Sequence, residues 1–244
     1  MRIEYKYLIR KEEKDRFFKS VTPYLVPDGL AETNGGGWYT VRSIYYDTTD
    51  LRFYREKIEG LPVRKKIRVR VYNERSERSI AFLEIKRKDR EAISKNRAPV
   101  AFANVEALLA TGDIESYVLR LRRFPTADEH ARRFLYHMYS CNLQNIALVT
   151  YERQAFHGSF DHGLRLTFDY NLRCRLHPRL DDIFSEDDFT PYLEPYCVIE
   201  IKSVRGIPFW LADCLGAFGL IRQTVSKYCI GVQACGVREA LMPL

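Results

Sequence analysis

With 244 residues, 46% apolar side chains and 13% aromatics, the chain has ample material for a packed core, which excludes a disordered or fibrous protein. Its formal net charge of +7 favours anionic partners such as nucleic acid, phosphate compounds or an anionic membrane surface, without choosing among them. No apolar run approaches the roughly 18–20 residues of a membrane span.

The start, Met1-Arg2-Ile3-Glu4-Tyr5-Lys6, lacks the apolar stretch of a secretory signal, so a cytoplasmic protein is expected. Ile3, Tyr5 and Tyr7 alternate with Glu4 and Lys6, which predicts a first strand over about 2–9. Phe17, Phe18, Val21 and Leu25 then follow helical spacing from Lys11 onward, and Pro27-Asp28-Gly29 is read as the end of that helix. The Asn34-Gly35-Gly36-Gly37 run has no strand-Gly-x-Gly-x-x-Gly-helix context and reads as a loop. A strand is predicted over 39–46. Asp47-Thr48-Thr49-Asp50 looks like a helix cap before a short helical piece carrying Leu51, Tyr54 and Lys57.

The densest charge pattern follows. In Arg64-Lys65-Lys66-Ile67-Arg68-Val69-Arg70-Val71-Tyr72, strand alternation puts Arg64, Lys66, Arg68 and Arg70 on one face and Ile67, Val69 and Val71 on the other. Phe82-Leu83-Glu84-Ile85-Lys86-Arg87-Lys88 puts Glu84, Lys86 and Lys88 opposite Leu83 and Ile85, and the polar run between the two segments suits an antiparallel hairpin. Like charges in a row on one strand face repel. Such a row is better explained by a bound anion than by water alone. Lys95 and Arg97 could also reach such an anion, a basic loop being the alternative.

From Ala101 to Cys141 the apolar spacing turns helical, and strands return over 146–156 and 164–170, with a short one around 173–176. The acidic run from Asp181-Asp182 to Glu186-Asp187-Asp188 reads as a mobile surface segment. A strand over 196–203, a helix over 209–218 and a basic turn or strand over 223–228 complete the chain. With no linker or composition break, residues 1–244 read as one domain. The six cysteines show no C-x-x-C pair, so reduced, buried thiols are expected, and none of the five histidines is assigned a role.

The Glu-x-Lys pattern repeats at distance, in Glu4-Tyr5-Lys6, Glu84-Ile85-Lys86 and Glu200-Ile201-Lys202, each in a strand context with both charges on one face. The predicted charged faces collect Lys6, Arg68, Arg70, Lys86, Arg153, Arg165, Lys202 and Lys227 as cations, and Glu4, Glu84, Asp169 and Glu200 as carboxylates. Cations of this kind clamp polyphosphate oxygens, and carboxylates beside them suit a hard divalent ion such as Mg²⁺ or Mn²⁺. If the sheet closes, the charges line its lumen and helices cover its apolar exterior; an open sheet is the alternative.

The ordered set of Glu4-x-Lys6, Lys66-Ile67-Arg68-Val69-Arg70, Phe82-Leu83-Glu84-Ile85-Lys86, Tyr151-Glu152-Arg153-x-x-Phe156, Leu166-x-Phe168-Asp169, Val198-Ile199-Glu200-Ile201-Lys202 and Ser226-Lys227-Tyr228 resembles the VTC domain, the polyphosphate polymerase branch of the triphosphate tunnel metalloenzymes. The resemblance runs from about residue 2 to 232. It implies an α+β fold, an eight-stranded antiparallel β-barrel forming a triphosphate tunnel with flanking helices. It also implies transfer of the γ-phosphoryl group of ATP onto inorganic polyphosphate, with Mn²⁺ or Mg²⁺. Carried over, Lys6, Arg68, Arg70, Lys86, Arg153 and Lys227 would grip phosphates in catalysis, Lys66, Arg165 and Lys202 would assist substrate binding, and Glu200, Glu84, Glu4 and Asp169 would hold metal. Arg165 and Asp169 rest mainly on strand alternation.

Eukaryotic members of the family carry an amino-terminal SPX domain and a membrane segment; with neither in this sequence, a free-standing microbial catalytic domain is the expectation. The alternatives are a triphosphatase on the same scaffold and a non-catalytic polyanion-binding module. Carboxylates beside the cations argue against the latter. No nucleic-acid partner is expected, since the tyrosines fit the core as well as a base-stacking surface.

Overall fold

Alternation of apolar with charged residues builds antiparallel strands, and amphipathic helices cover their apolar sides, giving an α+β protein. The computed structural model describes residues 3–29, 37–90 and 92–241, so Asn34, Gly35 and Gly36 of the expected loop lie outside the described residues. Eight strands follow one hydrogen-bonded order: β1 (Ile3–Arg10), β10 (Tyr196–Ser203), β8 (Arg165–Leu176), β7 (Gln144–Gly158), β3 (Tyr39–Asp47), β4 (Val63–Tyr72), β5 (Ile80–Asp89) and β6 (Ala92–Ala101). The antiparallel sheet and flanking helices are as expected. No helix among the described residues is long and apolar enough to cross a membrane. The chain forms two compact units, Met1–Thr40 with Tyr151–Leu172 and Pro191–Lys227, and Val41–Thr150 with Arg173–Thr190 and Tyr228–Leu244.

In the first unit β1 (Ile3–Arg10) pairs with β10 (Tyr196–Ser203), and β10 with β8 (Arg165–Leu176), whose last four residues belong to the second unit. The register crosses two of the repeated motifs: Lys6 lies opposite Glu200, and Glu4 opposite Lys202. On the other side of β10, Thr167 lies opposite Glu200 and Arg165 opposite Lys202. Residues directly opposite share a face, so the motifs become cross-strand charge pairs. The alternate residues Tyr7, Ile9, Leu166, Phe168, Ile199 and Ile201 form an apolar core. Phe17 and Val21 of α1 (Lys11–Val21) and Leu211 and Leu215 of α6 (Phe209–Ala217) close it.

Helix α1 ends earlier than its spacing predicts. Thr22–Tyr24 form a 3₁₀ turn, and Leu25 opens the short strand β2 (Leu25–Pro27), which pairs with β7 (Gln144–Gly158). Pro23 is the cause, because its ring cannot follow another helical turn and it has no amide hydrogen to donate.

The second unit is built around the basic hairpin. Strand β3 (Tyr39–Asp47, its first two residues in the other unit) and helix α2 (Arg52–Ile58) precede β4 (Val63–Tyr72) and β5 (Ile80–Asp89). Strand β6 (Ala92–Ala101), not anticipated from the sequence, pairs along the whole of β5. Pro99 obscured it; proline is tolerated there because β6 lies at the end of the strand order, where a missing donor costs no ladder bond. Ile67, Val69, Val71, Leu83 and Ile85 are buried against Val105 and Leu108 of α3 (Val105–Thr111) and Ala131, Phe134 and Leu135 of α5 (Ala127–Ser140). The short α4 (Ile114–Tyr117) lies between these helices in the chain.

The two strands expected within 164–176 are one continuous β8, with Asn171 at a left-handed φ of 50° in its middle. The acidic segment contains a 3₁₀ turn, Leu180–Phe184, with Ile183 fully buried, and β9 (Thr190–Pro191) follows it. Two of its acids are held by cations: Asp182 lies 3.3 Å from Arg175 and also accepts from the Arg179 amide at 2.7 Å, and Glu186 accepts from Arg173 at 2.6 Å and binds Arg42. The basic turn expected near Lys227 instead starts α7 (Lys227–Cys235), followed by α8 (Val237–Leu241).

Candidate functional site

The first unit holds a buried charge cluster centred on Glu200. Glu200 Oε1 accepts from Lys227 Nζ at 2.6 Å and lies 3.2 Å from Lys6 Nζ; Oε2 accepts from Arg153 Nη2 at 3.2 Å and is 3.9 Å from Lys202. Asp169 receives both Arg153 Nε and Nη2, at 2.5 and 2.7 Å, and lies 2.7 Å from Lys227 Nζ. Lys6 is also 3.4 Å from Glu4 and donates to the Val225 carbonyl at 2.9 Å. Arg153 and Lys227 both lie over the Tyr151 ring, 5.2 and 4.8 Å from its centroid.

These charges hold one another ionised. Burial opposes ionisation of Glu200, yet Lys227, Lys6 and Arg153 outweigh it and hold the carboxyl well below its usual range. The balance at Asp169 is the same in kind, with Arg153 and Lys227 overcoming burial. Burial lowers the Lys227 pKa, but Asp169 and Glu200 outweigh it and raise the value above that of an ordinary lysine.

The second unit holds a cluster around Glu84, which is 1% exposed. Arg68 donates to Glu84 Oε2 through Nε at 2.8 Å and Nη2 at 2.6 Å, while Lys95 and Arg97 lie 2.7 and 3.0 Å from Oε1. Strand register explains the convergence: Arg68 and Arg97 lie opposite Glu84 on its two neighbouring strands, and Lys66 and Lys95 opposite Lys86. Arg70 Nε donates to Ser43 at 2.9 Å, Arg68 Nη1 to the Tyr45 hydroxyl at 2.8 Å, and Arg97 to the Tyr72 hydroxyl at 2.9 Å. Burial opposes ionisation of Glu84, but Arg68, Arg70, Lys95 and Arg97 hold its carboxyl well below the usual range. Tyr45 shows the strength of this field. Although burial raises a phenol pKa, Arg68, Arg70 and Lys66 bring Tyr45 down to about 8.

Lys6, Arg153, Lys202, Lys227, Glu4, Asp169 and Glu200 thus meet in the first unit, and Lys66, Arg68, Arg70, Lys86 and Glu84 share one face in the second. Arg165 is held elsewhere: its guanidinium binds Asp28 at 3.1 and 2.8 Å and the Tyr39 hydroxyl at 3.2 Å. Sequence reading missed Tyr45, Tyr151, Asp47 and Tyr228. Tyr228 stacks on Tyr45, with centroids 4.9 Å apart, and donates to Asp47 Oδ2 at 2.8 Å. Asp47 also accepts from the Thr48, Phe53 and Tyr54 amides at 2.8, 2.8 and 2.9 Å, so the expected cap at the start of α2 is present and anchors Tyr228 as well. Strand parity offered a signal for Tyr151, two residues before Arg153 and on its face; nothing local marked Asp47 as a partner of Tyr228.

The carboxylates are hard oxygen donors, the class that Mn²⁺ or Mg²⁺ requires. Their oxygens in the first unit are nevertheless engaged by lysine and arginine, and among the described residues no group of three or more His, Cys, Asp or Glu is placed to share an ion. As they stand, these residues do not form a metal cage.

A family model described as the VTC domain matches residues 1–235. No individual curated protein matches the chain.

Proposed function

Because the chain belongs to the VTC domain family, we propose that it is a polyphosphate polymerase, which transfers the γ-phosphoryl group of ATP onto a growing inorganic polyphosphate chain. The observation that carries this reading is the row of cations on the β4–β5–β6 face, where Lys66, Arg68, Arg70, Lys86, Lys95 and Arg97 share one surface with Glu84. Cations side by side on one sheet face repel, and a chain of phosphates, each carrying negative charge, offsets that repulsion.

Phosphoryl transfer requires little covalent help from a protein and is accelerated by positioning and neutralising developing charge. Arg68 and Arg153 give Nε and Nη2 to Glu84 and Asp169, so their remaining N–H groups are the ones suited to non-bridging oxygens, with Lys6, Lys86 and Lys227 suited to point contacts. Glu84, Asp169 and Glu200 keep these cations oriented before substrate arrives, which lowers the reorganisation needed on binding. The reading assigns any Mn²⁺ or Mg²⁺ to the phosphates of the incoming nucleotide, since the carboxylates are already engaged. The acceptor determines the product, a phosphate terminus giving a polymer and water giving free phosphate.

The test is to incubate pure protein with ATP and Mn²⁺, with and without a short polyphosphate primer, and to follow phosphorus resonances. ADP together with internal-chain phosphate is expected. Stoichiometric free phosphate without chain resonances would replace this reading with a triphosphatase. Binding without turnover would replace it with a polyanion-binding module.

A further inference from the structure

The same three strands present a second basic surface on their opposite face. Because side chains alternate, Lys65 and Arg87 point away from the face that carries Lys66 and Lys86. There they meet Arg132, Arg133 and His137 of α5 around a cavity of about 600 Å³. That volume falls in the usual range of small-molecule sites. Among the described residues its lining includes five basic side chains and no carboxylate.

Nearby acids account for only part of this charge. Arg87 pairs with Asp89 at 3.0 Å and Arg133 with Glu129 at 2.5 Å. Lys65 and Arg132 have no carboxylate within ion-pair distance among the described residues, and Lys65 instead stands 5.6 Å over the Phe53 ring. His137 records the resulting field, its pKa lowered by burial and then by Lys65 and Arg87. Ser94 and Asn96 add polar groups from β6, and Tyr136, 67% exposed, adds an aromatic ring to the lining. Cations on three elements facing one concavity cost repulsion unless an anion offsets it.

We propose that this cavity between α5 and the outer face of β4–β5–β6 is an accessory binding site for an oligophosphate, separate from the Glu84 cluster on the other face of the sheet. Two or more linked phosphates match cations contributed by β4, β5 and α5 better than a single phosphate does. The concavity suits a discrete anion and not a flat membrane surface. A nucleoside diphosphate and an inorganic oligophosphate share this chemistry, and Tyr136 offers a base-stacking surface only to the former.

His137 is the reporter for the test, which needs no turnover. Full-length protein with labelled histidine is titrated over pH by NMR, metal-free, in the presence of ADP, inorganic triphosphate, or sodium chloride at matched ionic strength. The His137 resonance is assigned through His137→Gln. Bound phosphates neutralise the field of Lys65 and Arg87, so the His137 midpoint is expected to rise with ADP or triphosphate and to stay put in chloride. A rise with both ligands identifies the phosphates as the recognised group; a rise with ADP alone assigns the site to nucleotides. In a Lys65→Ala/Arg132→Ala variant, whose fold is checked by circular dichroism, the rise is expected to disappear, while triphosphate binding that depends on Arg68 persists. No rise with either ligand, a rise matched by chloride, or a rise unchanged in the double variant would overturn the proposal.

Discussion

Replacing Lys227 by Met probes the Glu200 cluster most directly. Methionine nearly matches the lysine in length, so the change removes charge while leaving little void. The Lys227 ammonium, on a residue 6% exposed, lies 2.6 Å from Glu200 and 2.7 Å from Asp169. Removing one partner from a buried ion network costs about 3–5 kcal/mol, because the remaining charge has already been desolvated. Here both acids keep another cation: Asp169 retains its two bonds from Arg153, and Glu200 retains Arg153 at 3.2 Å and Lys6 at 3.2 Å. The lower end, about 3 kcal/mol at neutral pH, is therefore expected.

Both tryptophans, Trp38 and Trp210, fall within the unit that contains the cluster, so urea unfolding followed by tryptophan fluorescence reads the relevant transition. The pH dependence has a definite sign. Asp169 and Glu200 have depressed folded pKa values, so their stabilisation is complete above the unfolded carboxylate range, about pH 4, and is lost as pH falls through the folded values. In Lys227→Met the depression is smaller, and the gap between the variant and its parent should close on acidification. A loss below about 1 kcal/mol that is flat in pH would mean that the network is screened like a surface pair, which would refute the reasoning.

Tyr45 should ionise with a midpoint of about 8, seen as the tyrosinate absorbance missing from Tyr45→Phe; its depressed folded value means that it adds stability as pH rises from there towards 10.0. A titration with no tyrosine ionising below the usual range would contradict the field assigned to Arg68, Arg70 and Lys66. Asp47→Asn should cost about 1–3 kcal/mol in thermal or urea unfolding, because the new amide nitrogen, a donor only, can accept from neither the Tyr54 amide nor the Tyr228 hydroxyl. An unchanged transition would remove Asp47 as the anchor of that corner. On the proposed function, Arg68→Ala should weaken triphosphate binding about 10- to 100-fold by calorimetry, the loss of one charge-assisted contact, and should flatten its salt dependence. Equal affinity and salt slope in variant and parent would exclude Arg68 from the phosphate grip.

The local sequence determined the strands and their faces, because a two-residue period is written in consecutive side chains. Arg68 and Arg70 alternate with Ile67, Val69 and Val71, and Glu200 and Lys202 with Ile199 and Ile201; the structure keeps both divisions. Nothing local announced β6, where Pro99 and a run of polar residues hid a strand that depends on pairing with β5 for its ladder. The end of α1 is legible in Pro23, although the helical spacing of apolar residues continues to Leu25 and points to Pro27 instead. Partner choice lay beyond local pattern altogether. That Lys6 faces Glu200 and not a second lysine follows from antiparallel register between segments separated by most of the chain. Alternation put Arg165 and Asp169 on one charged face, yet Arg165 is bound by Asp28 while Asp169 holds Arg153 and Lys227. A strand's period fixes only the side of the sheet a residue occupies; which opposite charge lies within reach is decided when distant strands come into register.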